Sequence, residues 1–142
     1  MSIGNLESKL AEVFTRSASG EVASAYLFGS IAQRREHRES DVDIGVLLSW
    51  ERLPSRSERF ATRLRLVAAL APACRPRDAD LVILNDAPPL LGRHVVTTGR
   101  RIVCLDEALD RSYFRDVQLR AADLAPWLAR MQRLKLVAIA RP

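Results

Sequence analysis

The chain has 142 residues, 48% hydrophobic and 27% charged, with a formal net charge of +5. That is length for one globular domain with a core of its own, and no apolar stretch approaches the roughly 20 residues that a membrane span needs. The amphipathic, acid-bearing start "MSIGNLESKLAEVF" does not read as a signal or transit peptide, while Cys74 and Cys104 stand singly, without zinc-ligand spacing, as buried reduced thiols of a cytoplasmic protein would.

Leu6, Leu10, Val13 and Phe14 recur at helical spacing, so residues 5 to 17 are predicted as an amphipathic helix that "SGE" breaks. "VASAYLF" (22 to 28) and "DVDIGVLLSW" (41 to 50) are apolar runs of strand length. Ser57 to Ala71 reads as a helix with Phe60, Leu64, Val67, Ala68 and Ala71 on its inner face and Glu58, Arg59, Arg63 and Arg65 opposite, with Pro72 helping to stop it. "ADLVILN" (79 to 85) is a third strand, "APPLLGRHVVTTG" a short helix ending near Gly99, and "RIVCL" (101 to 105) a fourth strand. From Asp106 onward the pattern is helical, with Pro126 marking a kink or a restart. The alternation argues for an α/β or α+β fold: a mixed sheet of about four strands flanked by helices, with a long C-terminal helix.

The segment "GSIAQRREHRESDVDIGVLL" places charge where a buried strand tolerates little of it. On a strand, residues i and i+2 face the same way roughly 6.5 Å apart, so Asp41 and Asp43 share one face while Val42, Ile44, Val46 and Leu48 take the other. Two like charges so close need a cation, and magnesium suits them, because it takes hard oxygen ligands and keeps positions for water and phosphate oxygens. Gly29-Ser30, ending the preceding strand, offers backbone N–H groups and a small hydroxyl to a phosphate. Ten residues, Ile31 to Ser40, separate this phosphate seat from the metal seat. Asp80 completes a carboxylate set if its strand lies beside the second, where it could accept a proton or help to hold the metal. Asp78 and Asp86 are rivals in turn-like positions. Any one of these elements is an ordinary turn or strand end; their conjunction describes a site for a metal-bound nucleoside triphosphate.

"GSIAQRREHRESDVD", with its Gly-Ser, ten residues and Asp-x-Asp, resembles the DNA polymerase β-like nucleotidyltransferase superfamily. "SDVDIGVLL", "DADLVILNDAPPLL" and "GRRIVCLDE" are similar to its minimal nucleotidyltransferase branch, antitoxin partners of HEPN ribonuclease toxins. The resemblance covers about residues 5 to 110, within one domain spanning 1 to 142 whose helical tail begins near 107. It implies Gly29 and Ser30 as the triphosphate-binding turn, Asp41 and Asp43 as magnesium ligands, and Asp80 as the third acidic residue beside what would be two magnesium ions. The implied reaction is attack by a tyrosine hydroxyl of a HEPN toxin on the α-phosphate of ATP. Relatives often show Gly-Ser-x-Ala-Arg-Gly, whereas here Gln33 stands for the Arg and Arg34 for the Gly, so Arg34 or Arg35 could reach the triphosphate instead. His37, in the same loop, reads as a surface residue and His94 as a structural one.

The tail carries the whole excess charge: from Arg111 onward seven Lys and Arg face Asp116 and Asp123, while residues 1 to 110 balance at fifteen of each sign. Scattered arginines are ordinarily a solvated face, so direct nucleic-acid binding is not expected. Phe114, Val117, Ala121, Leu124, Leu128 and Met131 form a heptad-like stripe that either packs on the protein's own sheet or binds a partner, making a homo- or hetero-oligomer with Trp127 as an anchor. Two other functions remain open: a nucleotidyltransferase for a small hydroxyl compound such as an aminoglycoside, and an antitoxin that acts by binding alone.

Overall fold

The four apolar runs become strands of one mixed sheet, as expected. The computed structural model describes residues 3–17, 20–32 and 40–140, with side chains to residue 134. In chain order the elements are α1 (Ile3–Ser17), β1 (Val22–Phe28), α2 (Gly29–Ala32), β2 (Val42–Leu48), α3 (Arg56–Cys74), β3 (Ala79–Ile83), a 3₁₀ turn (Leu84–Asp86), α4 (Pro89–Thr98), β4 (Arg100–Cys104) and α5 (Glu107–Ala140). The sheet order is β3-β2-β1-β4; β1 runs antiparallel to both neighbours, and β2 and β3 are parallel.

Strand alternation sorts the side chains into two layers. Val42, Ile44, Val46 and Leu48 of β2 all point into a core closed by Leu6, Leu10 and Phe14 of α1 and Leu66 and Leu70 of α3. The other face, bearing Tyr26 and Leu47, is covered by Val95 and Val96 of α4 and Val117 of α5. β2 ends at Leu48, short of the predicted Trp50, which is exposed. β3 ends at Ile83 rather than at 85 because the Asn85 side chain takes over the ladder: its amide donates to the Leu48 carbonyl and its Oδ1 accepts from the Leu48 N–H, both at 2.8 Å.

The inner face of α3 differs from the predicted one. Arg59, Thr62, Leu66, Leu70 and Cys74 are buried, whereas Phe60, Leu64 and Ala68 are exposed and Val67 and Ala71 half-buried. Arg59 can turn inward because its guanidinium is satisfied there. Nε and Nη2 donate to the two Asp86 oxygens at 3.0 and 2.9 Å, Nη1 donates to the Leu53 carbonyl at 2.9 Å, and the group lies 4.9 Å from the Trp50 ring centre. A paired and hydrogen-bonded charge tolerates burial, so charge alone did not mark the solvent side. The helix also runs two residues past Pro72.

Both cysteines are free; Cys74 is buried, and its thiol is pushed up to about 11 by that burial, whereas Cys104 is half-buried rather than buried. α5 continues through Pro126 without a restart. Its stripe is divided: Val117 and Ala121 are buried on the protein's own body, Leu124 and Leu128 are half-buried, and Phe114, Trp127 and Met131 are exposed. No described helix is long and apolar enough to cross a membrane.

The start of α5 is pinned by a residue that no sequence pattern marked. Asp110, 5% exposed, accepts from the Ser24 and Tyr26 hydroxyls, both at 2.6 Å, and from Arg101 Nη1 at 3.1 Å. Desolvation and this carboxylate together push the Tyr26 phenol far above its ordinary range. Asp110→Ala would leave two buried hydroxyls without their acceptor, so it should cost about 3 kcal/mol in urea unfolding, and a variant unfolding at the wild-type midpoint would contradict this role.

Candidate active site

Three strands deliver the predicted residues to one edge of the sheet. β1 ends at Phe28, which pairs with Asp43 of β2, and Asp43 pairs in turn with Asp80 of β3. Residues directly opposite on neighbouring strands point to the same face, so Asp43 and Asp80 project together, and Asp41, two residues before Asp43, follows them. The backbone leading into Asp41 is held from both sides. Val42 N–H donates to the Asp78 carbonyl at 2.8 Å, and Arg77 Nη1 donates to the Ser40 carbonyl at 2.8 Å. Arg77 went unremarked in the sequence, because a lone Arg before a strand carries no pattern.

Gly29 turns the chain out of β1 with φ +77°, a left-handed conformation that side-chain-bearing residues rarely adopt. It also makes room: a Cβ built there would lie 2.2 Å from Asp43 Oδ2. The phosphate-type turn and the central carboxylate are therefore in direct van der Waals contact. Ser30 follows, half-buried in α2. Arg34, Arg35 and His37 lie outside the described residues.

The electrostatics of the cluster are those of a site short of positive charge. Asp41 and Asp80 are exposed and Asp43 half-buried. Burial, then the nearby charges of Asp80 and Asp41, hold the Asp43 carboxyl above the usual carboxylate range. Among the described residues no three His, Cys, Asp or Glu side chains converge as a ready cage for a metal ion. The donors are all hard carboxylate oxygens, and a cation of magnesium's type is commonly held by one or two of these, with water and phosphate oxygens filling its remaining positions. The residues fit such an ion.

The rival aspartates have other duties. Asp86 is paired to Arg59 beyond the far end of β3, and the Asp78 carbonyl serves the backbone of Val42. His94, read as structural, is exposed on α4, its carbonyl accepting from Thr98 Oγ1 at 2.7 Å.

Comparison with known proteins follows the same outline. The family described as "Polymerase beta, Nucleotidyltransferase" matches residues 8–108. Protein adenylyltransferase MntA of Shewanella oneidensis is 40% identical over 77 residues, 54% of this chain and 50% of its own length, so the chain spans about half of that curated relative. A toxin–antitoxin solved with AMP-PNP matches with a TM-score of 0.66 at 27% identity, over 91% of this chain and 98% of that one. A tri-AMPylated Shewanella oneidensis HEPN toxin in complex with MNT antitoxin matches with a TM-score of 0.60 at 24% identity, over 92% of this chain and 96% of that one, a likeness of fold alone.

Proposed function

The chain belongs to the polymerase β nucleotidyltransferase family, and from that premise we propose that it is an antitoxin that transfers AMP from ATP to a tyrosine hydroxyl of a cognate HEPN ribonuclease toxin in the cytoplasm, silencing it. The observation that carries this reading is the contiguous row of Gly29, just past the end of β1, Asp43 of β2 and Asp80 of β3, with Asp41 beside it. The adenylyltransferase name of the Shewanella relative and the AMP-PNP held by a related toxin–antitoxin support the donor and the kind of partner.

In this reading Gly29 lets the triphosphate approach the backbone closely, and Ser30 donates its hydroxyl to a phosphate oxygen. Asp41 and Asp43 would hold magnesium, with Asp80 beside them. When bound, the metal supplies neutralising charge to the triphosphate and to the departing pyrophosphate. The bond from the tyrosine oxygen to the α-phosphorus forms as the bond from that phosphorus to the α,β-bridging oxygen breaks, and pyrophosphate leaves. The phenol proton, of ordinary pKa about 10, must go elsewhere during attack. In this reading Asp80, an exposed carboxylate, accepts it.

The test is transfer from ATP labelled on its α-phosphate to the HEPN partner. Label should appear on a partner tyrosine, vanish with EDTA and return with added magnesium, while ATP labelled on its γ-phosphate leaves the partner unmarked. Metal-independent labelling, or label on a small molecule alone, would sink the reading.

A further inference from the structure

The outer edge of β3 opens into a groove of about 750 Å³ that includes Asp80 and is walled by the first turns of α3 and the loop and helix after β3. Phe60 and Leu91 line it. Phe60 is 58% exposed, and Leu64, one turn further along α3, is 53% exposed. The two large apolar side chains that periodicity alone would bury are thus turned to solvent, and Phe60 shares the groove with a carboxylate of the candidate site. Apolar surface joined to such a site commonly marks a place of recognition.

The charge around the groove has a sign. Arg56, whose side chain is 78% exposed, and Arg63 both line it. Asp86 is shared between Arg59, at 2.9 Å, and more loosely Arg56, at 3.8 Å, and Asp80 belongs to the carboxylate cluster. Arg56, Arg59 and Arg63 of α3 thus meet a single carboxylate, Asp86, at this wall, and an acidic segment would complement the surplus of positive charge. Displacement at phosphorus puts the attacking and leaving oxygens roughly in line on opposite sides. Gly29 lies at the β1 side of Asp43 and Asp80 at the β3 side. Pyrophosphate leaving toward Gly29 and Ser30 would oblige the acceptor hydroxyl to enter past Asp80, out of this groove.

We propose that the groove and the Phe60–Leu64 face of α3 dock the acceptor protein, through a segment that carries apolar side chains and carboxylates around its tyrosine; this rests on the adenylyltransferase reading above. The segment docks by its side chains and not as an added strand. Arg63 Nε donates to the Leu81 carbonyl at 2.7 Å and so occupies an acceptor that a strand added to the edge of β3 would need.

Two fluorescent tyrosine peptides of equal length provide the test, one flanked by Glu and Leu and the other by Lys and Ser. Anisotropy should show the acidic, apolar peptide binding at least tenfold more tightly. Phe60→Ser/Leu64→Ser and, separately, Arg56→Glu should each bring the two peptides to within about twofold. All three side chains are exposed, so the variants should keep the wild-type fold, checked by circular dichroism. Equal binding of the peptides by the unaltered protein, or a preference that survives in both variants, overturns the docking surface. Displacement of the bound peptide by ATP alone also overturns it, by giving the groove to the nucleotide. Label transfer from α-labelled ATP is read in parallel: selective binding without transfer upholds the docking surface while counting against the transferase reading, so the two can fail separately.

Discussion

Asp41→Asn/Asp43→Asn is expected to lower AMP transfer by at least about 1000-fold while raising the melting temperature of the metal-free protein. The loss of activity follows from removing two groups proposed to act in the transition state, where even one electrostatic contact is worth roughly 100- to 1000-fold. The gain in stability follows from the sign of the Asp43 shift. Its carboxyl sits above its ordinary value because it is partly buried and faces Asp80 and Asp41. The folded state therefore binds this proton more tightly than the unfolded chain does, and stability falls as pH rises from the ordinary Asp value of about 3.9 through the raised folded value. At neutral pH the wild type bears the full repulsion, and the neutral amides do not. Melting curves at pH 5 and pH 7.5 without metal should separate the two proteins further at the higher pH. Magnesium should raise the wild-type melting temperature and leave the variant unmoved. A variant less stable than wild type at neutral pH would contradict the charge argument. Undiminished neutralisation of the toxin by the variant would instead make the protein an antitoxin that acts by binding alone.

Gly29→Ala should damage both the turn and the carboxylate that it packs against. The left-handed backbone costs a side-chain-bearing residue roughly 1–2 kcal/mol, and here the new Cβ would also meet Asp43 Oδ2 at 2.2 Å and Cγ at 3.1 Å. Asp43 must swing away, out of register with Asp80, and transfer should fall by about 100-fold, the scale on which a displacement of about 1 Å in a reacting group is felt. Gly20→Ala is the matched control. Gly20 has φ +78°, but the nearest atoms to its Cβ would be those of the flexible guanidinium end of the Arg52 side chain, from 2.9 Å. It should lose stability comparably and leave transfer nearly unchanged. Equal losses of transfer in both variants would mean that Gly29 serves the turn and not the carboxylate.

The parts of the site that were legible in advance are those whose geometry is set over a few residues. Asp41 and Asp43 share a face because a strand alternates, and Gly29-Ser30 ends a strand where the backbone can turn, whatever the rest of the molecule does. Asp80 was legible only conditionally. Its carboxylate stands beside Asp43 because β3 pairs with β2 in parallel, and that register is made by a crossover through α3 and not by any local pattern. The inner face of α3 was misread for a related reason. Periodicity groups Phe60 with Leu64, and Thr62 with Leu66 and Leu70, but it does not say which group turns inward.

From the sequence alone came the element types, a mixed sheet with a long terminal helix, and the conjunction of a phosphate turn with paired carboxylates, all of which rest on repeat distances along the chain. The tertiary structure decided which stripe of each helix is buried, that Arg59 and Asp110 are buried polar anchors, and that Phe60 and Leu64 face solvent instead of the core, with Phe60 in the groove that holds Asp80. Those outcomes depend on partners far apart in the chain: Asp86 is 27 residues from Arg59, and Ser24 is 86 from Asp110. Burial of a charge is decided by whether such a partner waits for it, and only the folded chain brings the two together.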